Sequence, residues 1–206
     1  MPDRSRIVVT GGHGYLGAAV MERLSRDGEA ITVDEKEVDL ADFAATKAWA
    51  ESVGKPVHGL VALAGGFRMK QLGDLGEKHY VETLGINSRT AFSTLDAFAH
   101  ELADGSSVVL VGSQAYSGAK DMSVYAASKA AVVSLARSAS LEWKQRGIRV
   151  NAILPDTIDT PANRKSMPNA NFDAWQKPAE IAEVIAFLLS ESASIISGNA
   201  IALGRQ

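Results

Sequence analysis

Short apolar runs alternate with longer amphipathic segments along most of this chain. Residues 7–10, 30–33 and 57–63 are rich in Ile, Val and Leu and show little alternation with polar residues. Such runs are typical of strands that are buried on both faces of a parallel sheet. The pattern continues over residues 107–113, 148–154 and 198–203.

Between these runs, hydrophobic residues recur at helical spacing. Leu16, Val20 and Leu24, for example, share one face of a helix. The predicted helices cover residues 16–28, 43–52, 75–103, 123–146 and 178–190. Strands that alternate with helices predict an α/β fold, because strand, helix and parallel strand form a crossover unit. We therefore predict a single domain over residues 1–206, a three-layer Rossmann fold with a doubly wound, seven-stranded parallel sheet flanked by helices.

A glycine-rich turn joins the first predicted strand to the first predicted helix. Its residues are Gly11, Gly12, His13, Gly14, Tyr15, Leu16 and Gly17. Glycines permit a tight turn and a close approach to a phosphate, and the free amides at a helix start favour negative charge. A plain tight turn is the alternative. The order strand, glycine turn and helix nevertheless favours a dinucleotide site, where these residues would bind the cofactor.

Acidic residues after the second predicted strand bear on the choice of cofactor. Asp34 follows the glycine turn by about twenty residues, where a carboxylate accepts hydrogen bonds from the adenosine ribose and repels a 2′-phosphate. This favours NAD(H), while Lys36 and His13 leave NADP(H) possible. Asp39, followed by Leu40, has two interpretations. It accepts a hydrogen bond from the adenine amino group, or it is the N-cap of the next helix.

Two further stretches have residues that suggest a site. Ala64, Gly65 and Gly66 follow the strand over residues 57–63, and open α/β sheets bind ligands at the carboxyl ends of their strands. Asn87 lies inside a predicted helix, where asparagine is unfavourable unless its side chain has a partner. We expect the first group to contact a cofactor, whereas Asn87 has either a catalytic or a helix-packing role.

Tyr125 and Lys129 are four residues apart on a predicted helix and therefore lie side by side on one face. A neighbouring ammonium favours the phenolate, so we expect the pKa of Tyr125 to lie below its usual value of about 10. A phenol of that kind exchanges protons with a substrate oxygen near neutral pH. The alternative is a chance pair on one helix face.

Composition narrows the range of partners. The net charge of −3 and the scattered Lys and Arg residues indicate neither nucleic acid nor an anionic membrane, which favours a small-molecule substrate. No metal site is expected, because cysteine is absent and the four histidines lack ligand spacing. We find no signal-peptide core and no apolar run that could span a bilayer, so we expect a cytoplasmic protein.

Taken together, these residues resemble the short-chain dehydrogenase/reductase family over nearly the whole chain. The matching positions, in the order and at the intervals of the family, are Thr10, Gly11, Asp34, Asp39, Leu40, Ala64, Gly65, Asn87, Ser113, Tyr125, Lys129 and residues 155–161. The resemblance implies an NAD(P)(H)-dependent oxidoreductase that transfers hydride between the nicotinamide and a small carbonyl, alcohol or pterin-like substrate.

The resemblance also implies a role for each catalytic residue. Tyr125 is the general acid or base, and Lys129 lowers its pKa and binds the nicotinamide ribose. Ser113 polarises the substrate carbonyl, unless it merely caps the following turn. Asn87 supports a water-mediated proton path to Lys129.

Further expectations concern the late part of the chain and the assembly. Pro155, Thr157 and Thr160 are expected to contact the cofactor. Residues 163–175 are expected to form a mobile lid, in which Phe172 and Trp175 either face the substrate or anchor the lid. The family implies a homodimer or homotetramer. The candidate interface residues, which could equally pack on the sheet, are Ala91, Leu95, Phe98, Val132, Leu135 and Ala139.

Departures from the usual family pattern are similar to dihydropteridine reductase. They are the glycine spacing Thr-Gly-x-x-Gly-x-x-Gly, the sequence from Ala64 to Phe67, and residues 154–168. That branch lacks the serine found here as Ser113, so a pterin substrate and an ordinary carbonyl or alcohol both remain open. A protein that senses NAD(P) without turnover is the alternative from another functional class.

Overall fold

The computed structural model describes residues 5–33 and 35–204, so Asp34 lies outside the described residues. Within them, six strands form one parallel sheet in the order β2-β1-β3-β4-β5-β6. The strands are β1 Arg6–Thr10, β2 Glu29–Thr32, β3 Val57–Ala62, β4 Leu102–Val111, β5 Arg149–Leu154 and β6 Ala200–Ala202. The predicted α/β Rossmann architecture is confirmed.

Helices cover both faces of the sheet. They are α1 Tyr15–Leu24, α2 Phe43–Val53, α3 Gly76–Leu84, α4 Thr90–Phe98, α5 Ser123–Glu142, α6 Pro161–Ser166 and α7 Pro178–Leu189. A π-helical turn, Gly85–Arg89, joins α3 to α4. Among the described residues, no helix is both long and apolar enough to cross a membrane.

The prediction of seven strands was wrong for the described part of the chain, which has six. A seventh strand beside β2 would have to come from the segment between β2 and β3. In the described residues of that segment, turns and the helix α2 precede β3, with no further strand. Each parallel strand needs its own crossover connection, and this segment provides one, through α2.

The boundary between the predicted helix over residues 75–103 and the next strand also differs. α4 ends at Phe98, and β4 already begins at Leu102, which pairs with Val57 in the neighbouring strand. Arg146 donates to the carbonyls of Ala99 and Leu102, which closes the end of the helix. Strand pairing and a distant arginine therefore override the local helical periodicity.

Alternate residues of the strands enter two cores, one on each face. Val8 and Leu60 belong to the core under α4 and α5, whereas Val9 and Val61 belong to the core under α1 and α7. The six candidate interface residues lie in or against the first core, so they pack on the sheet. Because the strands are parallel, their carboxyl ends meet at one edge, where the predicted site residues gather.

Candidate active site

The glycine turn after β1 is packed too closely for side chains. Gly11 has a positive φ of 72°, and a Cβ atom at Gly17 would lie 2.1 Å from the Gly11 carbonyl oxygen. The amide of Gly12 donates to the Thr32 hydroxyl at 3.1 Å, which ties the turn to β2. These contacts require glycine at the two positions because any larger residue would push α1 away from the end of β1.

α1 begins with an N-terminus suited to an anion. Its N-cap, Gly14, has no side chain, and the first turn contains no acidic residue. The amides of Tyr15, Leu16 and Gly17 belong to the first turn of α1, where amides have no partner inside a helix. Together with the dipole of α1, they fit the pyrophosphate of a dinucleotide. The Leu16 side chain itself packs into the core, while His13 and Tyr15 are exposed.

Thr10 joins the glycine turn to the end of β3. It is 1% exposed, and its hydroxyl accepts hydrogen bonds from the amides of Leu63 at 3.2 Å and Ala64 at 3.3 Å. A Cβ atom on Gly11 would lie 2.9 Å from the Ala64 Cα atom. The two predicted cofactor-binding segments, the glycine turn and the sequence from Ala64 to Gly66, are therefore in direct contact.

Asn87 lies in the π-helical turn and is 1% exposed. Its Nδ2 donates to the Gly66 carbonyl at 2.9 Å and to the Thr83 carbonyl at 3.1 Å. Its Oδ1 accepts from the Gly66 amide at 3.2 Å. The asparagine that is unfavourable in an ordinary helix therefore has partners for both ends of its amide, and it fixes the end of β3.

Lys129 is 6% exposed, and its Nζ donates to the Val111 carbonyl at 3.0 Å. Burial disfavours the charged ammonium and lowers the pKa of Lys129 to about 8. A Cβ atom on Gly65 would lie 3.3 Å from this Nζ and 2.8 Å from Asn87 Oδ1. The absence of a side chain at Gly65 thus leaves room for both the Lys129 ammonium and the Asn87 amide beside this glycine.

Tyr125 and Ser113 come together at the ends of α5 and β4. Burial raises the pKa of the Tyr125 phenol, and a hydrogen bond with the Ser113 side chain lowers it in part. The net direction is upward, so the expectation of a depressed pKa was wrong. The Lys129 ammonium lies 5.8 Å from the centre of the Tyr125 ring and donates to a carbonyl. In the structure as it stands, desolvation of the phenol is therefore the larger effect.

Ser113 caps a helical turn and also affects Tyr125. Its hydroxyl accepts from the Ala115 amide at 3.2 Å and caps the short 3₁₀ helix Gln114–Ser117. The same side chain lowers the pKa of the Tyr125 phenol. The capping interpretation is therefore confirmed, while the catalytic role of Ser113 stays a prediction. The two roles are compatible because a hydroxyl can accept and donate at once.

Phe67 forms one wall beside Tyr125. The two rings meet edge to face, with centroids 5.1 Å apart and an angle of 80° between their planes. Phe67 is nevertheless 58% exposed. It therefore supports the Tyr125 ring and also presents an apolar face to the space above it.

The interpretation of Asp39 as a helix N-cap was wrong. The cap of α2 is Asp42, whose Oδ1 accepts from the amides of Ala44 at 2.8 Å and Ala45 at 3.1 Å. Only the residue directly before the helix can reach the amides of its first turn. Asp39 instead accepts from the Ala41 amide at 2.9 Å and stays exposed to solvent.

Side chains of α4 and its neighbour hold the segment around Leu40. The Leu40 side chain is buried, and its carbonyl accepts hydrogen bonds from the hydroxyls of Thr46 and Ser93. Arg89 Nε donates to the Ala41 carbonyl at 2.6 Å. This segment follows β2 in the chain, where we expect the adenine half of a dinucleotide to bind.

The residues after β5 form another part of the candidate site. Pro155 is buried at the end of the strand, and the Thr157 carbonyl accepts from the Gln176 amide at 3.0 Å. The Thr160 hydroxyl accepts from the Asn163 amide at 3.2 Å and caps α6. The predicted loop over residues 163–175 thus contains most of α6 and a 3₁₀ turn, Phe172–Ala174. Trp175 is 7% exposed, so it anchors this loop to the body.

Comparisons with known proteins agree with this geometry. A sequence profile of the family described as enoyl-(acyl carrier protein) reductase matches residues 6–203. The 3-oxoacyl-[acyl-carrier-protein] reductase MabA of Mycobacterium tuberculosis is 30% identical over 93% of this chain and 88% of its own length. Galactitol 2-dehydrogenase of Rhizobium johnstonii is 30% identical over 95% of this chain and 92% of its own.

A solved short chain dehydrogenase from Burkholderia cenocepacia, in complex with NADP, superposes with a TM-score of 0.85 at 26% identity. The superposition covers 98% of this chain and 97% of that one. This chain belongs to the short-chain dehydrogenase/reductase family. As a short-chain dehydrogenase/reductase it is an NAD(P)-dependent oxidoreductase.

The structure shows residues that support the short-chain dehydrogenase/reductase site from outside it and that the sequence analysis missed. Thr32 accepts from the glycine turn, and a polar residue in the apolar run over residues 30–33 was the available signal. Gln176 and Asp159 close the loop after β5, but no spacing rule relates residues so far apart in sequence. Their partners become visible only in three dimensions.

Proposed function

We propose that this chain transfers hydride between NAD(P)(H) and a small carbonyl or alcohol, with Tyr125 as the general acid and base. The bound nicotinamide would supply or accept the hydride. The observation that carries the proposal is the grouping of Ser113, Tyr125 and Lys129 at the carboxyl edge of the sheet. The Lys129 ammonium lies 5.8 Å from the centre of the Tyr125 ring, and the Ser113 side chain lowers the pKa of the phenol. Two hydroxyls can share one substrate oxygen, one as donor of the transferred proton and one as orienting partner.

The protonation states suit the reductive direction. A raised pKa keeps the Tyr125 phenol protonated at neutral pH, so it holds the proton that a carbonyl oxygen needs as it becomes an alcohol. Lys129, with a pKa of about 8, remains mostly an ammonium at pH 7. It would bind the ribose hydroxyls of the nicotinamide half and replenish the Tyr125 proton. Asn87 would hold the end of β3 in place beside it.

The named relatives support an oxygen-bearing carbon as the reacting centre. One is a 3-oxoacyl reductase and the other a galactitol dehydrogenase. Their substrates differ widely in size and polarity, so the relatives support the reaction type more than a particular substrate. The exposed wall formed by Phe67 favours a substrate with an apolar or flat portion.

NAD(H) is the cofactor that we propose as preferred. Two acidic residues, Asp34 and Glu35, follow β2, and a carboxylate there repels a 2′-phosphate. We expect Asp34→Ser to improve use of NADPH relative to NADH. A wild-type protein that already uses NADPH better than NADH would contradict the proposal.

A pterin-like substrate is the second candidate, favoured by the Phe67 ring beside Tyr125. Its exposed face is suited to stacking against a flat heterocycle. The similarity of residues 154–168 to dihydropteridine reductase supports the same candidate. Ser113 argues for the carbonyl or alcohol substrate, because a hydroxyl next to Tyr125 can orient an oxygen.

The deciding experiment measures NADH oxidation with quinonoid dihydropterin in one set of reactions and a panel of carbonyl compounds in another. We expect turnover on the panel, lost by about a hundredfold or more in Tyr125→Phe with cofactor binding retained. Tyr80→Phe, which changes an exposed tyrosine on α3, is the matched control. Turnover of the pterin alone would favour the second candidate. NADH binding without turnover of any substrate would instead favour a sensor.

A further inference from the structure

The loop that follows β5 is closed at its base by neutral hydrogen bonds. The Asp159 amide donates to the Gln176 carbonyl at 2.8 Å, and the Gln176 amide donates to the Thr157 carbonyl at 3.0 Å. The Gln176 side chain donates to the Leu203 carbonyl and accepts from the Asp156 amide. The ends of this loop therefore stay together whatever its middle does, as in a compact surface loop whose ends are close.

A buried carboxylate stands at this base. The Asp159 side chain is 8% exposed and forms ion pairs with two cationic side chains. Its Oδ1 accepts from Arg164 Nε at 2.6 Å, and its Oδ2 accepts from Arg164 at 2.9 Å and from Lys177 Nζ at 2.6 Å. These bonds hold the pKa of Asp159 well below its usual range, so it is ionised at neutral pH. The base of the loop thus has a fixed negative charge.

Arg164 connects this charge to the middle of the loop. Its guanidinium pairs with Asp159 and lies 4.7 Å from the centre of the Phe172 ring. The Phe172 ring in turn lies 4.7 Å from that of Trp175, which is buried. One side chain therefore joins the helix α6, the 3₁₀ turn and the base, while Lys165 and Met167 beyond it are exposed.

The loop begins at the same edge of the sheet as the candidate site. It leaves the carboxyl end of β5, which pairs in parallel with β4. The Gln114 amide, directly after Ser113, donates to the Pro155 carbonyl at 3.0 Å. The base of the paired loop therefore lies beside the residues that we assign to catalysis.

We propose that Asp159 is a positioning residue, whose ion pairs with Arg164 and Lys177 hold residues 160–175 closed over the cofactor and substrate. The substrate part of this proposal rests on the proposed function. Asp159 touches no reacting atom, so its removal weakens the closed position of the loop and leaves the chemistry at Tyr125 intact. The loop would then open more often, and substrate would bind more weakly.

Limited trypsin digestion tests the closure without any substrate. We expect Asp159→Asn, which keeps the shape and removes the charge, to raise cleavage after Arg164 and Lys165 by about fivefold. Asp104→Asn is the matched control, because it removes an exposed aspartate from its pair with Arg146 far from the loop. Equal cleavage rates at these two bonds in wild type and Asp159→Asn would overturn the proposal.

A second variant and a salt series keep the proposal testable if Asp159→Asn simply unfolds. Arg164→Lys keeps the charge and the cleavage site but loses the two-pronged contact with Asp159 and the ring stacking, so cleavage after residues 164 and 165 should rise as well. In wild type, cleavage at these bonds should increase with salt relative to a free peptide, since screening weakens a partly exposed ion pair. Insensitivity to both changes would overturn the proposal.

Steady-state kinetics then separates positioning from catalysis. With whichever substrate is turned over, we expect Asp159→Asn to raise KM by about fivefold and to leave kcat nearly unchanged. A fall in kcat at constant KM would contradict a positioning role. If no substrate is turned over, the proposed function fails, while the digestion result still decides whether Asp159 closes the loop.

Discussion

The Asn87 side chain hydrogen bonds with both the carbonyl and the amide of Gly66. Its Nδ2 donates to the Gly66 carbonyl at 2.9 Å, and its Oδ1 accepts from the Gly66 amide at 3.2 Å. An uncharged amide is the side chain that can donate and accept in this way within a buried π-helical turn. The contact sets the direction in which the chain leaves β3, next to Lys129.

Replacing this amide tests that relationship. Asn87→Asp keeps the size but cannot donate while ionised, and it buries a charge, so we expect the free energy of unfolding to fall by about 2 to 3 kcal/mol. Urea denaturation measures the loss. Asn169→Asp changes an exposed asparagine and serves as the control. Equal losses in the two variants would show that the Gly66 contact contributes no stability.

Removing the Ser113 hydroxyl should raise the pKa of Tyr125. The Ser113 hydrogen bond lowers this pKa, whereas burial raises it, so Ser113→Ala leaves only the upward effect. Reduction needs the protonated phenol and is lost as pH rises through the pKa. We therefore expect the alkaline limb of kcat/KM to move to higher pH, at a lower maximal rate.

An ultraviolet titration of tyrosinate checks this shift directly, with Tyr125→Phe subtracted to isolate one phenol. Ser134→Ala, an exposed serine on α5, is the control and should leave the titration unchanged. A downward shift in Ser113→Ala would contradict the hydrogen bond.

Lys129 should destabilise the fold at neutral pH. Its pKa is lowered from 10.5 to about 8, so between these values the unfolded chain binds more protons than the folded one. The free energy of unfolding therefore rises as pH increases from about 8 to 10.5. Below pH 8, the buried ammonium of Lys129 lowers the free energy of unfolding by about 3 kcal/mol. Lys129→Met removes that cost but leaves the Val111 carbonyl without its donor, so we expect a net gain of about 1 to 2 kcal/mol at pH 7.

Thermal unfolding at pH 7 and at pH 10 measures the effect, and activity should be lost at both. The gain should shrink at pH 10, where wild-type Lys129 is neutral when folded. Lys165→Met, at an exposed position, should show no such pH dependence. A variant that is less stable at pH 7 than wild type would contradict the account.

Gly17→Ala should prevent cofactor binding. The added Cβ atom would meet the Gly11 carbonyl oxygen at 2.1 Å, so α1 must shift away from the amides that we assign to the pyrophosphate. We expect a loss of several kcal/mol of stability, about 3 or more, and no measurable NADH binding by calorimetry. Gly85→Ala is the matched control because no atom lies within 4 Å of its added Cβ and its φ is helical. Retained NADH affinity in Gly17→Ala would contradict this placement.

The parts of the fold that follow from local pattern were predictable from the sequence. The apolar runs located the sheet, and the glycine turn fell between β1 and α1 as its spacing required. The end of α4 was misplaced because Leu102 pairs with Val57, a partner far away in sequence. Of the two interpretations of Asp39, the N-cap was wrong because Asp42, which precedes the same helix directly, is the cap.

The sequence indicated which residues lie together at the candidate site, whose roles stay predictions, but not the electrostatics there. Spacing brought Tyr125 and Lys129 onto one helix face, and family order added Ser113 and Asn87. The direction of the Tyr125 pKa depends on how much solvent the fold removes, which periodicity does not show. The pairing of Asp159 with Lys177 likewise depends on a loop that returns to its own base.

The order of the strands has a consequence for association between copies of the chain. Both outer strands of the described sheet are short, with four residues in β2 and three in β6. An ion pair between Arg6 and Glu29 also lies at the start of the β2 edge. Outer strands this short offer few backbone groups in register for a second chain, which protects a sheet against edge-to-edge aggregation. With six strands, the described sheet therefore ends on both sides in a strand too short to pair extensively with a neighbouring molecule.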